Sequence, residues 1–181
     1  PIGRAEWLTA RLKGRQVVEL LRSEAVEVAI HLDFAGADAP HASREAAIQQ
    51  NILGSMELLG ACAAAGVRQV VLRSHVGVYG PLPTNPIFIS ERRPPIRTGL
   101  SGLLRDFSEV EQFAAEFSEP HPELCISALR CTHILGAWSP LTSYFTRPNP
   151  PMLVGFDPCL QFLHLEDAAE AFALAAITPV G

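Results

Sequence analysis

The chain has 181 residues, of which 48% are hydrophobic and 18% charged, and its formal net charge is −5. That size fits one domain with a real core, two small domains being the weaker alternative, and no apolar run approaches the roughly 20 residues that span a bilayer. The arginines are scattered rather than gathered on one helix, which argues against a nucleic-acid partner.

Pro1 stands first, and no basic-then-apolar leader pattern follows it, so the chain reads as beginning part-way into a gene product. Residues 5 to 23 carry Trp7, Leu8, Leu12, Val17, Val18, Leu20 and Leu21, broken by Gly14, which predicts one short helical stretch and then a second. Val26–Leu32 (VEVAIHL) is β-branched and apolar and predicts a buried strand. A loop from Ala35 to His41 follows, and Ser43 is placed to cap a long helix. Ile48, Ile52, Met56, Leu59 and Ala63 mark one face of that helix, and Gly66 ends it. Gln69–Leu72 is the next strand, so residues 26 to 72 form a parallel βαβ unit.

A Pro-rich stretch runs from Pro81 to Pro95, followed by a helix over Ser101–Phe117 and a strand at Leu124–Leu129. A second Pro-rich loop leads to a short strand at Leu160–His164 and a last helix from Glu166 to Ile177. This alternation predicts an α/β fold with a doubly wound parallel sheet. The expected division is 1–135 for a partial dinucleotide-binding domain and 136–181 for a partial substrate lobe. Cys62, Cys125, Cys131 and Cys159 show no CxxC pair or zinc-like spacing, and read as buried thiols in a reducing compartment, which fits a cytoplasmic location.

Four local patterns in this order resemble the NAD-dependent epimerase/dehydratase family, the extended branch of the short-chain dehydrogenases. They are His31-Leu32-Asp33-Phe34 at a strand end, Asn51-Ile52-Leu53-Gly54-Ser55, Arg73-Ser74-His75-Val76-Gly77-Val78-Tyr79-Gly80, and Leu160-Gln161-Phe162-Leu163-His164-Leu165-Glu166-Asp167. Gly155-Phe156-Asp157-Pro158 and Asn85-Pro86-Ile87-Phe88 resemble atypical bacterial members. The resemblance implies a Rossmann-like fold and NAD or NADP as cofactor. It places Leu32, Asp33, Phe34, Asn51, Ser74, His75, Cys131 and Ile134 at the cofactor cleft. A small-molecule or nucleotide ligand is the expected partner, and a homo-oligomer or complex subunit is open.

Departures from the family pattern are equally specific. No GxGxxG or GxxGxxG occurs, although a pyrophosphate needs such glycines to approach backbone N–H groups. The expectation is that 40 to 70 residues, with the first strand, lie upstream, and that the chain does not form the family's sheet alone. The family's tyrosine and lysine, one helical turn apart, correspond here to Leu103 and Phe107, and its serine to His75. The only lysine is Lys13, while Tyr79 and Tyr144 are each followed four residues later by proline, so no YxxxK pair exists. His75 is the remaining acid/base candidate, set against the plainer role of a hydrogen-bonded loop histidine.

The plainer roles weighed for other positions are a loop Asp bonded to its own chain for Asp33, a packed ring for Tyr79, and a partner of the last helix for His164. Glu166 and Asp167 read as helix-start charges, and Arg92, Arg93 and Arg97 as a solvated face. Three functions follow: a degenerate, ligand-binding or regulatory family member; an active epimerase, dehydratase or reductase; or a structural subunit.

Overall fold

A computed structural model describes residues 8, 14–35, 43–136, 139–152, 154–155 and 160–178. The first helical stretch expected over residues 5–13, most of the loop 35–41, the segment Phe156–Pro158 and Cys159 lie outside the described residues, apart from Leu8. Helix α1 is Arg15–Ser23, followed by strand β1 (Val28–His31). Helix α2 (Arg44–Ile48) runs through a π-helical segment, Gln49–Leu53, into α3 (Gly54–Ala65). Strand β2 is Gln69–His75, a 3₁₀ turn covers Val76–Tyr79, and α4 is Gly102–Ser118. The chain continues through β3 (Cys125–Cys131), β4 (His133–Leu135), α5 (Pro140–Phe145), β5 (Phe162–His164) and α6 (Leu165–Ile177).

β1, β2 and β3 form one parallel sheet in that order, with His31 opposite Leu72 and His75 opposite Cys131. Parallel strands need crossover connections, and α3 and α4 provide them. Both lie on one face, where Leu59, Cys62, Val70, Leu72, Phe107 and Val110 close the main core with Val17 of α1. The opposite face is covered by α6, whose Phe172 and Ala175 pack on Val71 and Cys131. Helices therefore flank both faces of a parallel sheet, and the α/β reading holds. The outer edge of β1 has no strand partner among the described residues.

The expected start and stop signals of the long helix are in place. Ser43 accepts a hydrogen bond from the N–H of Ala46, and Gly66 closes α3 in the left-handed region at φ 80°. The apolar stripe read from the sequence is half of the inward face. Asn51 and Ser55 are also fully buried, because the π turn inserts an extra residue and brings them inward to bond other elements.

Three other expectations are corrected. The strand expected over Val26–Leu32 is confined to Val28–His31, where His31 is buried and Ile30 is 42% exposed, the outer edge of β1 having no strand partner among the described residues. β2 and β3 run on past Leu72 and Leu129 to His75 and Cys131, because their polar ends are paired with each other across the sheet. The stretch after Cys131 is not loop alone. His133–Leu135 pairs with Phe162–His164 as a separate parallel sheet, which Thr132 supports by donating to the carbonyl of Gln161 at 2.6 Å, and Pro140–Phe145 is helical.

Candidate functional site

Parallel pairing brings the carboxyl ends of β1, β2 and β3 to one edge, where open α/β sheets take their ligands. That edge gathers Leu32–Phe34, Arg73–His75 and Cys131, so most positions expected at the cleft meet there. Their surroundings differ. Leu32 is 50% exposed, whereas Phe34 is buried with its ring between His31 and Phe107, at 4.8 and 4.7 Å. Asp33 accepts a hydrogen bond from the side chain of Gln50, Nε2 at 2.9 Å, rather than from its own loop backbone. Ile134 lies apart, in the second sheet opposite Leu163.

Asn51 is a clamp. Its Oδ1 accepts from the N–H of Ala35 at 2.7 Å, and its Nδ2 donates to the carbonyl of Ala35 and to Asp106 Oδ2. The loop leaving β1 is thereby tied to the helix layer. Asp106, fully buried, also receives the guanidinium of Arg44, so its charge is met by two donors. His31 lies beside the clamp, with its Nε2 2.8 Å from Ser55 Oγ. Ser55 spends its own proton on the carbonyl of Asn51, so Nε2 of His31 is the donor. Burial outweighs the field of Asp33 and holds His31 below the ordinary histidine pKa.

A second buried network joins β2, α4 and β3. Arg130 binds Glu111 through Nε at 2.9 Å and Nη2 at 2.6 Å, and its Nη1 donates to Tyr79 Oη at 2.7 Å and to the carbonyls of Glu91 and Arg93. Ser74 donates to the other oxygen of Glu111. Tyr79 is buried, with the Arg130 guanidinium 4.9 Å above its ring. Ser74 and Tyr79 thus brace the strand ends, and both hydroxyls are already engaged.

His75 ends β2, and its Nδ1 accepts from the N–H of Gly77 at 2.9 Å. Gly77 permits this approach, since a Cβ there would stand 2.7 Å from Leu104 and 2.9 Å from His75 Nδ1. With Nδ1 accepting, the neutral ring carries its proton on Nε2 and presents a donor, not a base. Burial, then His133 and Arg73, push the His75 pKa down. His133 meets the His75 ring edge-on at 5.1 Å.

The helix positions that correspond to the expected tyrosine and lysine are apolar and inside. Phe107 is 2% exposed, and Leu103 packs against the same core. Sequence reasoning did not single out Arg73, whose guanidinium carbon lies 5.8 Å from the Phe107 ring centre, nor His133, Arg130 or Glu111. The available signal for Arg73 was a charged residue directly after the apolar run Val70–Leu72 and two before His75.

Elsewhere, His164 is 61% exposed and caps α6 by accepting from the N–H of Glu166, while Glu166 and Asp167 fill the first turn. Arg97 is 75% exposed and stands 4.0 Å from Glu116. A cavity of about 860 Å³ lies along β3, lined by Tyr79, Phe88, Arg130, Cys131 and Phe162. It shares only Cys131 with the expected cleft positions. Among the described residues no cluster of metal-ligating side chains occurs, and no helix is long and apolar enough to cross a membrane.

The residues present fit part of a dinucleotide. Exposed Leu32, the clamped backbone at Ala35 and the His75 donor suit a flat ring, and no glycine loop for a pyrophosphate occurs in the 181 residues.

Comparison with known proteins places the chain in a family. Residues 6–180 match the model of the NAD dependent epimerase/dehydratase family. An uncharacterized Mycobacterium tuberculosis protein, Rv0501, is 31% identical over 180 residues, which cover 97% of this chain and 48% of that protein. The chain spans about half the length of the curated relatives it matches. Among solved structures, MoeE5 in complex with UDP-glucose and NAD superposes with a TM-score of 0.72 at 24% identity, covering 95% of this chain and 58% of that one. The UDP-N-acetylglucosamine 4-epimerase from Methanobrevibacter ruminantium, in complex with UDP-N-acetylmuramic acid, gives 0.75 at 22% identity, covering 94% and 57%. At these identities the structural likeness establishes the fold.

Proposed function

The chain belongs to the NAD dependent epimerase/dehydratase family, and from that premise we propose that it is part of a protein that binds an NAD-type dinucleotide and a nucleotide-linked small molecule without the family's proton chemistry. The observation that carries this reading is the pair Leu103 and Phe107, apolar and packed into the core where the resemblance expects a tyrosine and a lysine. Neither side chain takes or gives a proton. A dinucleotide would supply hydride chemistry only where a proton-transfer pair accompanies it, and Leu32, the backbone held by Asn51, and His75 are the residues here that would flank its ring.

His75 serves as a hydrogen-bond donor in this reading. Its Nδ1 is occupied by Gly77 N–H, so removing a proton from substrate through Nε2 requires the other tautomer and loss of that bond. The remaining polar groups hold geometry: Asn51 fixes the loop after β1, and Arg130, Glu111 and Ser74 tie β2, α4 and β3 together. A regulatory or binding member follows.

Calorimetric titration of the full-length protein with NADH, with UDP-glucose turnover assayed in parallel, tests the proposal. Saturable binding without turnover is expected. Turnover that disappears on His75→Ala would instead establish an active enzyme working through His75.

A further inference from the structure

Three cationic or cationisable side chains lie at the end of β2, and among the described residues no carboxylate is paired with them. Arg73 lies over Phe107, and its charge is felt at both His75 and Cys131. His75 and His133 meet edge to ring at 5.1 Å. The nearby carboxylates are engaged elsewhere: Asp33 with Gln50, Asp106 with Arg44 and Asn51, Glu111 with Arg130 and Ser74. Among the described residues the Arg73 side chain makes no hydrogen bond or ion pair; its contact is the Phe107 ring.

A contact with a ring face occupies no hydrogen-bond acceptor, so the guanidinium N–H groups of Arg73 stay available to a ligand. His75 keeps one ring N–H uncommitted, and the His133 ring makes only aromatic contacts among the described residues. Half-buried Arg73 and His75 beside exposed His133 present one cation and a ring N–H donor with no carboxylate among them, which matches one ligand chemistry. We propose that Arg73, His75 and His133 form an oxyanion site that takes a phosphate or carboxylate group of the bound small molecule. This deepens the functional reading above and rests on it for treating the strand ends as the ligand-facing edge. An anion among the three would favour a charged His75 against the burial, and the lesser repulsion from His133 and Arg73, that lower its pKa.

The test follows the imidazole resonances of His75 and His133 by NMR in the full-length protein. Inorganic phosphate and acetate are titrated separately, with ionic strength held constant by chloride. Saturable shifts of both rings are expected, and the anion that saturates at lower concentration names the ligand group. Arg73→Gln should weaken binding about tenfold, the scale of one lost charge-assisted bidentate contact. Arg73→Lys keeps the charge without the fork and should bind with intermediate affinity, while Arg92→Gln, at an exposed loop position, leaves binding unchanged. Shifts no larger than those from chloride, or wild-type affinity in both Arg73 variants, overturn the proposal. If phosphate saturates but NADH gives no binding heat, the dinucleotide reading fails and the oxyanion site stands.

Discussion

Single side chains decide most of what this edge of the molecule can do. Glu111 is 6% exposed and neutralises Arg130, which is 17% exposed, so removing one partner strands a buried charge. Glu111→Ala should cost about 3–5 kcal/mol in urea unfolding. The buried histidines give stability a pH dependence. His31 and His75 both have lowered pKa values in the fold, chiefly through burial, so the unfolded chain binds their protons more readily. Their contribution is full above the ordinary histidine pKa of about 6.5 and is lost as pH falls below it. Denaturation midpoints measured across that interval should fall toward acid, and His31→Gln should flatten the slope. Burial also pushes the Cys62 thiol up to about 11 and raises Cys131. Neither should react with a thiol reagent at neutral pH until the protein unfolds. The tyrosine and lysine missing from the helix were plain in the sequence, because counting Lys13 and two tyrosines suffices. Arg73 was not, because its meaning lies in Phe107 and His133, which are distant in the chain.

At the scale of elements, the termini of helices and strands carried the clearest signals. Ser43 and Gly66 mark a helix that forms between them, and α4 and α6 begin and end within a residue or so of their expected positions. Gly66 sits at φ 80°, so Gly66→Ala should lose about 1 kcal/mol in thermal or urea unfolding. The π turn at Gln49–Leu53 was hidden, since an inserted residue leaves the apolar spacing readable as an ordinary helix. Strand β4 was hidden for another reason: three residues, His133–Leu135, carry no period, and their partner Phe162–His164 is distant in the chain. Gly77 links this scale to the site. Gly77→Ala drives a Cβ against Leu104 and His75, and should release His75 Nδ1, seen as a change in its tautomer by imidazole NMR.

Across the whole molecule, the α/β layering and the family were both readable, because four short patterns stand in order along the chain and parallel pairing brings the strand ends of two of them together. The division of labour within that fold was not readable. Asn51 and Ser74, expected at the cofactor cleft, have their polar atoms engaged by other parts of the protein, as does the packed Tyr79. They hold the strand ends in place, and the proposed ligand contacts fall to Leu32, Arg73, His75 and His133. The proposed role is therefore binding without proton or hydride transfer. Native mass spectrometry of the full-length protein, incubated with NAD and UDP-glucose deuterated on the sugar ring, tests it. A cofactor-bound species whose NAD stays unlabelled is expected. Deuterium on the bound cofactor, or no bound species at all, would contradict it.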